Sequence, residues 1–149
     1  MKPICCIKYG LVCLSLLIGL GACDKFNDPS VEFTEVPKNI TGTWKIIQVT
    51  RNGTDVTGLM DFSRFRIHFK EDNTYAIDNY LPFLVKKDGS WHLDDPLYPF
   101  NIVFKEDAAD ESLVYGFYYP VVDGHRQISL SFKPGCANNI YTYIFAKES

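Results

Sequence analysis

Arg64-Phe65-Arg66-Ile67-His68-Phe69-Lys70 decides the fold. Phe65, Ile67 and Phe69 fall on one parity and the charged residues on the other, and this period of two belongs to a strand with one buried and one wet face. Glu71-Asp72-Asn73 supplies turn chemistry into Thr74–Asn79, where Tyr75 and Ile77 again share a parity, so the two segments form a hairpin. Outward from this hairpin, β-branched and aromatic residues fill six more segments: Thr43–Thr50, Gly89–Asp94, Pro99–Lys105, Ser112–Tyr119, Arg126–Lys133 and Asn139–Lys147. Turn clusters separate them at intervals of roughly 8 to 14 residues, among them Asn52-Gly53, Asp123-Gly124 and Pro134-Gly135. Long helical periodicity is missing. The expectation is an all-β domain of eight sequential antiparallel strands closing into an up-and-down barrel, which removes exposed edges. An open β-sandwich is the alternative.

The N-terminus has a different character. Lys2 and Lys8 precede an apolar run from Tyr9 to Leu20, followed by Leu20-Gly21-Ala22-Cys23. That run of about 12 residues is shorter than the roughly 20 a spanning helix needs and has the parts of a secretory signal. The Leu-Gly-Ala-Cys sequence resembles the bacterial lipobox. The resemblance implies cleavage before Cys23, lipidation of that cysteine and a durable membrane anchor, since several acyl chains hold where one binds only marginally. The expected organisation is a signal peptide over residues 1–22, an acidic tether over 23–38 and the barrel over 39–149. Asp24, Asp28, Glu32 and Glu35 with Pro29 and Pro37 favour an extended tether, about 50 Å fully stretched and roughly 20 Å as flexible coil.

Removing the signal changes the balance of the chain. Of five cysteines, Cys5, Cys6 and Cys13 leave with it and Cys23 is committed to lipid, so Cys136 has no partner and disulfides cannot hold the fold. The formal charge moves from −3 to about −5 without a basic stripe, which argues against nucleic acid as a partner. His68, His92 and His125 are scattered without metal-ligand spacing, no G-x-S-x-G elbow occurs, and Glu106, Asp107, Asp110 and Glu111 read as a solvated turn. The expectation is therefore no cofactor, no metal and no enzyme.

Ile40-Thr41-Gly42-Thr43-Trp44-Lys45-Ile46 resembles the G-x-W opening of lipocalin-type barrels. That likeness implies that Trp44 plugs one end and that the long connection Arg51–Ser63 corresponds to a lid-like first loop. Two features depart from it: no T-D-Y motif precedes the seventh strand, and no arginine on the last strand covers Trp44, only Lys147 being near. Asn52-Gly53-Thr54-Asp55-Val56-Thr57 and Tyr80-Leu81-Pro82-Phe83 also resemble small lipocalin-like lipoproteins of Bacteroides-type bacteria, a family of uncharacterised function. This implies a fold and an envelope location and brings no catalytic residues.

Two sets of residues stand out as candidate sites. Trp44, Trp91, Tyr115, Phe117 and Tyr143 are the candidates to line a ligand cavity, their apolar bodies and polar tips suiting a lipid or a flat hydrophobic molecule. A core filled by these side chains is the competing reading. Tyr80, Phe83, Tyr118 and Tyr119 lie in connections unusually apolar for loops and are the candidates for contact with a protein or glycan, provided both segments reach one mouth. The sequence thus points to a non-enzymatic lipoprotein, anchored to the outer membrane, that binds a hydrophobic or aromatic-stacking ligand inside its barrel. The alternative is a solid barrel that docks an envelope partner through its loops.

Overall fold

A computed structural model describes residues 34–80, 84–135 and 137–148. Cys23, Phe83 and Cys136 lie outside them. The β domain is the unit Val36–Ser149.

Eight strands carry the barrel: β1 (Gly42–Arg51), β3 (Arg66–Phe69), β4 (Thr74–Asp78), β5 (Gly89–Leu93), β6 (Asn101–Glu106), β7 (Leu113–Tyr118), β9 (His125–Phe132) and β10 (Tyr141–Lys147). Each pairs antiparallel with its neighbour along the chain, and β10 returns to β1 from Trp44↔Lys147 to Arg51↔Tyr141. That last pairing closes the sheet and selects the barrel over the open sandwich. Two short strands, β2 (Thr54–Asp55) and β8 (Val121–Val122), extend β1 and β9 as hairpins. Their turns fall on Asn52-Gly53 and Asp123-Gly124, with φ of 49° and 79° and of 50° and 79°. Two successive positive φ values match the primed turn whose twist suits a tight hairpin.

Inward positions follow the alternation of the sequence. Phe65, Ile67 and Phe69 are buried, as are Ile102 with Phe104, Tyr115 with Phe117, and Ile128, Leu130 and Phe132. Strand β1 breaks the alternation once. Ile46 pairs with Phe145 and Gln48 with Ile144, leaving Ile47 unpaired as a bulge, so Trp44 and Val49 face inward on opposite parities. All eight strands contribute to one core of buried side chains, most of them aromatic. Phe69 meets Trp91 and Phe104 at ring centroids of 5.1 and 6.0 Å, Phe104 meets Tyr115 at 5.9 Å, and Phe132 bridges Tyr115 and Tyr143 at 5.3 and 5.0 Å. Edge-to-face contacts of this kind add roughly 0.5–1.5 kcal/mol each beyond area burial.

The wall is thinnest between β4 and β5, where the register runs only from Thr74↔Ser90 to Tyr75↔Gly89. Beyond it the strands part. Asp88 covers the gap by accepting the Ile77 amide at 3.0 Å, and buried Leu84 and Val85 close it from within, with the Tyr115 hydroxyl donating to the Leu84 carbonyl at 2.6 Å. Gly89 leaves no room for a side chain against β6: a Cβ there would stand 2.1 Å from the Lys105 carbonyl oxygen. Tyr75 is 1% exposed, and its hydroxyl has no hydrogen-bond partner among the described residues. Burial, reinforced by Glu106, Asp107 and Asp88, pushes that hydroxyl well above the usual tyrosine range.

The up-and-down order gives the barrel two distinct ends. At the base the chain enters through Val36–Thr41 and meets the β5–β6 and β7–β8 connections: the Lys38 amide donates to the Pro96 carbonyl at 2.7 Å and the Tyr119 hydroxyl to the Asn39 carbonyl at 2.8 Å. Trp44 closes this end, fully buried, its indole N–H donating to the Ile40 carbonyl at 2.8 Å. Lys147 lies over its ring at 6.0 Å. Gly42, with φ +123°, makes room for that lysine, since a Cβ would meet the Lys147 Cε at 2.6 Å. Gly42, Lys147 and Trp44 thus form one packed device.

Candidate functional site

The opposite end, the mouth, is built by the connection Arg51–Phe65. Strand β2 folds back along β1, and Asp55 ties the turn after it: its carboxylate accepts the Thr57 amide at 2.8 Å and the Gln48 side-chain amide at 2.9 Å. The Thr57 side chain first, then Gln48 and the Thr57 amide, hold its pKa down, from an ordinary 3.8 to about 2. The Thr57 hydroxyl in turn accepts the Val49 amide at 2.9 Å, and the Val56 amide donates to the Val49 carbonyl at 2.9 Å. A short 3-10 turn over Thr57–Leu59 then carries Leu59, Met60 and Phe62 across the top of the barrel.

Between this rim and strand β10 lies a pocket of about 140 Å³. Val56, Leu59, Met60 and Phe62 line one side; Val49, Arg51, Tyr141 and Tyr143 line the other. The β1 bulge is what turns Val49 and Arg51 toward it, by reversing the strand's parity after Ile46. Arg51 is fixed rather than free, its Nε donating to Asn139 at 2.6 Å and its guanidinium 5.9 Å above the Tyr141 ring. Phe62 and Tyr143 form the buried side of the pocket, ring centroids 6.0 Å apart. Burial, with Tyr141 and Tyr80 nearby, pushes the Tyr143 hydroxyl up to about 12. At neutral pH it is an uncharged hydroxyl. Leu59 at 80% exposed and Tyr80 at 56% leave apolar surface around the opening. Among the described residues its lining is apolar apart from Arg51 and the hydroxyls of Tyr141 and Tyr143.

Two other depressions differ in kind. One of about 270 Å³ touches Tyr115, Phe132 and Pro134 at the end of β9. The other, about 670 Å³ and wide open, runs over the outer faces of β3 and β4. Its charged groups satisfy one another: Arg66 Nε donates to both Glu148 oxygens, at 2.9 and 3.1 Å, while His68 bonds Asp78 at 3.0 Å and Thr43 at 2.9 Å. Pairs this exposed add little to stability. Among the described residues no three histidine, cysteine or acidic side chains gather into a metal-binding group.

The five residues proposed for a ligand cavity are all buried in the common core. Tyr143 lines the mouth pocket and Tyr115 the smaller depression. Trp44 is at the base; Trp91 donates its indole N–H to the Thr74 carbonyl at 3.2 Å; Phe117 packs on Tyr119 with centroids 6.0 Å apart. Of the four loop residues Phe83 lies outside the described residues, and the structure does not bring the other three together. Tyr80 is at the mouth and Tyr118 and Tyr119 are at the base, because their connections follow strands of opposite direction. Tyr119 is also tied down, packed edge-on against Trp44 at 6.3 Å with Arg126 5.0 Å over its ring. Leu59, Met60 and Phe62 are what sequence reasoning passed over, although apolar residues recurring through an otherwise polar connection were a signal for them.

The fold and site together define a closed eight-stranded antiparallel barrel with a packed core and one small apolar pocket at its mouth. The chain belongs to the family described as a domain of unknown function (DUF5004), which matches residues 22–146. No curated protein and no solved structure matches it.

Proposed function

We propose that this protein is a non-enzymatic lipoprotein of the cell envelope, lipid-anchored to the outer membrane through Cys23, that binds a hydrophobic or aromatic-stacking group at the mouth of a lipocalin-like barrel. The observation that carries this reading is the pocket of about 140 Å³ between the Arg51–Phe65 connection and β10. An apolar cavity of roughly 150 Å³ accepts a benzene-sized molecule. The group bound is thus one ring or one branched hydrocarbon end, with the rest of the ligand lying across Leu59, Met60 and Tyr80. Arg51 beside Tyr141 favours a ligand that carries a hydroxyl or an acidic group next to its apolar part.

The test is a titration with lipid extracts and small aromatic compounds followed by amide chemical shifts. Perturbations confined to Val49, Met60, Phe62 and Tyr143, and abolished by Met60→Asp, are expected. Shifts spread evenly over the barrel, or untouched by Met60→Asp, count against the mouth pocket. The anchor is tested separately: Cys23→Ser should move the protein from the membrane to the soluble fraction while its circular dichroism stays that of a β-barrel.

A second reading is an interaction module that docks an envelope protein or a surface glycan at the same mouth. The exposure of Leu59 and Tyr80 beside the pocket favours it. Leu59 and Tyr80 are its contact residues. Charged substitutions at both, in a correctly folded protein, should abolish recovery of the partner in a pull-down.

A further inference from the structure

We infer that the base of the barrel rests on the lipid bilayer, so that the mouth pocket faces away from it; this rests on the lipid-anchor reading above. Exposed apolar side chains flank the point where the chain enters the domain. Val36 belongs to the entering segment itself, Tyr98 and Phe100 to the β5–β6 connection, and Tyr118, Val121 and Val122 to the end of β7 and the hairpin after it. These connections hold the entering chain between them through Pro96 and Tyr119. Phe100, just before β6, is 76% exposed and Tyr118, at the end of β7, is 69% exposed; the Phe117 amide donates to the Phe100 carbonyl at 2.7 Å.

The display is built rather than floppy. Asp94 accepts the amides of Phe100 and Asn101, each at 3.0 Å, and Asp95 accepts those of Leu97 and Tyr98 at 2.7 and 3.0 Å. Both carboxylates are thereby spent on the backbone of the turn that presents Tyr98 and Phe100. Aromatic residues, tyrosine especially, are enriched at the level of lipid headgroups, where an apolar ring and a polar tip each find their medium.

Chain length supports the same occupant. Only the dozen or so residues after Cys23 separate a lipidated cysteine from Val36, a reach of roughly 20 Å as flexible coil. A tether of that length lets the base, where the chain enters, rest on the headgroups. A second copy of the chain or a partner protein has no comparable support in the sequence or the fold.

The experiment uses the full-length lipidated protein in vesicles of phosphatidylethanolamine and phosphatidylglycerol. An environment-sensitive fluorophore is placed at Tyr98→Cys or Leu59→Cys, each in a Cys136→Ser background, and quenched with headgroup spin-labelled lipid. Several-fold stronger quenching at position 98 than at 59 is expected, and it should fall when Phe100→Ser and Tyr118→Ser are added. Equal quenching, or stronger quenching at 59, overturns the orientation. So does a dimer by size exclusion in detergent that Tyr118→Ser dissociates, which would mark a second copy as the occupant. Mass spectrometry of the Cys23 peptide separates the two readings: acylated Cys23 with equal quenching sinks the orientation alone, whereas unmodified Cys23 sinks the anchor and the orientation with it.

Discussion

Replacing Gly89 by alanine should cost more stability than any other single methyl added to the described glycines. The new Cβ would lie 2.1 Å from the Lys105 carbonyl oxygen and 2.9 Å from the Glu106 Cα. Ordinary contact begins near 3.4 Å, so β5 must retreat from β6 by roughly 1.3 Å, and the obstacle is backbone rather than a side chain that can swing away. A ladder bond stretched that far no longer satisfies hydrogen-bond geometry. The two bonds beside the Gly89↔Glu106 pairing, from Asp107 N to Asp88 O at 2.9 Å and from Lys86 N to Glu106 Oε1 at 2.6 Å, are the ones at risk. One or two lost bonds at about 1 kcal/mol each, plus overpacking of about 1–3 kcal/mol, give a loss of about 3 kcal/mol. Urea denaturation followed by tryptophan fluorescence is a suitable assay, because Trp91 is two residues away and buried. The midpoint should fall by roughly 1–3 M for the slopes usual in a domain of this size. Gly58→Ala is the matched control: its Cβ meets nothing within 4 Å, and the substitution should be neutral or stabilising by up to about 1 kcal/mol through the unfolded chain. If Gly89→Ala also unfolds within about 0.5 kcal/mol of the parent, the close β5–β6 approach is wrong.

Tyr75→Phe should stabilise the barrel by about 1 kcal/mol, since it removes a buried hydroxyl with no partner among the described residues and keeps the ring contact with Phe104 at 5.1 Å; a lower denaturation midpoint would show that the hydroxyl is satisfied in solution. The mouth should loosen in acid. Because the folded pKa of Asp55 lies below its ordinary value, its contribution is complete above about 3.8 and fades as pH falls through about 2. Hydrogen exchange at the Thr57 amide should accelerate over that window, and Asp55→Asn should flatten the response; an exchange rate indifferent to both would exclude Asp55 as the tie. Gly42→Ala forces a side chain into a positive-φ position and displaces Lys147 from the Trp44 ring, so a loss of about 1–2 kcal/mol in thermal or urea unfolding is expected, and an unchanged Tm would refute the pairing of these two residues.

Much of the fold was legible because strand alternation is a local property. Phe65, Ile67 and Phe69 announced their face without any knowledge of the rest of the chain, and all eight barrel strands fall within two residues of the segments read from the sequence. What escaped depends on distant pairing. The bulge at Ile47 exists because Phe145 and Ile144 of β10 meet Ile46 and Gln48, and nothing in Trp44–Arg51 alone marks the slip. Strands β2 and β8 are two residues each, too short for alternation to register. The separation of Tyr80 from Tyr118 and Tyr119 was legible in principle. In an up-and-down barrel, connections after odd-numbered strands share one end and those after even-numbered strands the other; Tyr80 follows the third barrel strand and Tyr118 ends the sixth. The mouth pocket was not legible, because Phe62 and Met60 meet Tyr141 and Tyr143 only once the Arg51–Phe65 connection has folded over the barrel.

The chain of rings that fills the barrel also sets how deep a ligand can go. Tyr143 and Phe62 form the buried side of the mouth pocket; behind Tyr143 stands Phe132 at 5.0 Å, and behind Phe132 stands Tyr115 at 5.3 Å, anchored through its hydroxyl to Leu84. A longer ligand could descend only by displacing rings that hold β7, β9 and β10 together, and truncating one buried aromatic costs about 3–5 kcal/mol. That is a large share of the roughly 5–15 kcal/mol that a whole domain commands. Depth and stability are therefore opposed in this fold. On the proposed ligand-binding reading, selectivity comes from the rim, where Leu59, Met60 and Tyr80 are exposed and can change without cost to the core. Members of the same family that recognise different molecules should accordingly differ along Arg51–Phe65 and keep the aromatic stack beneath it.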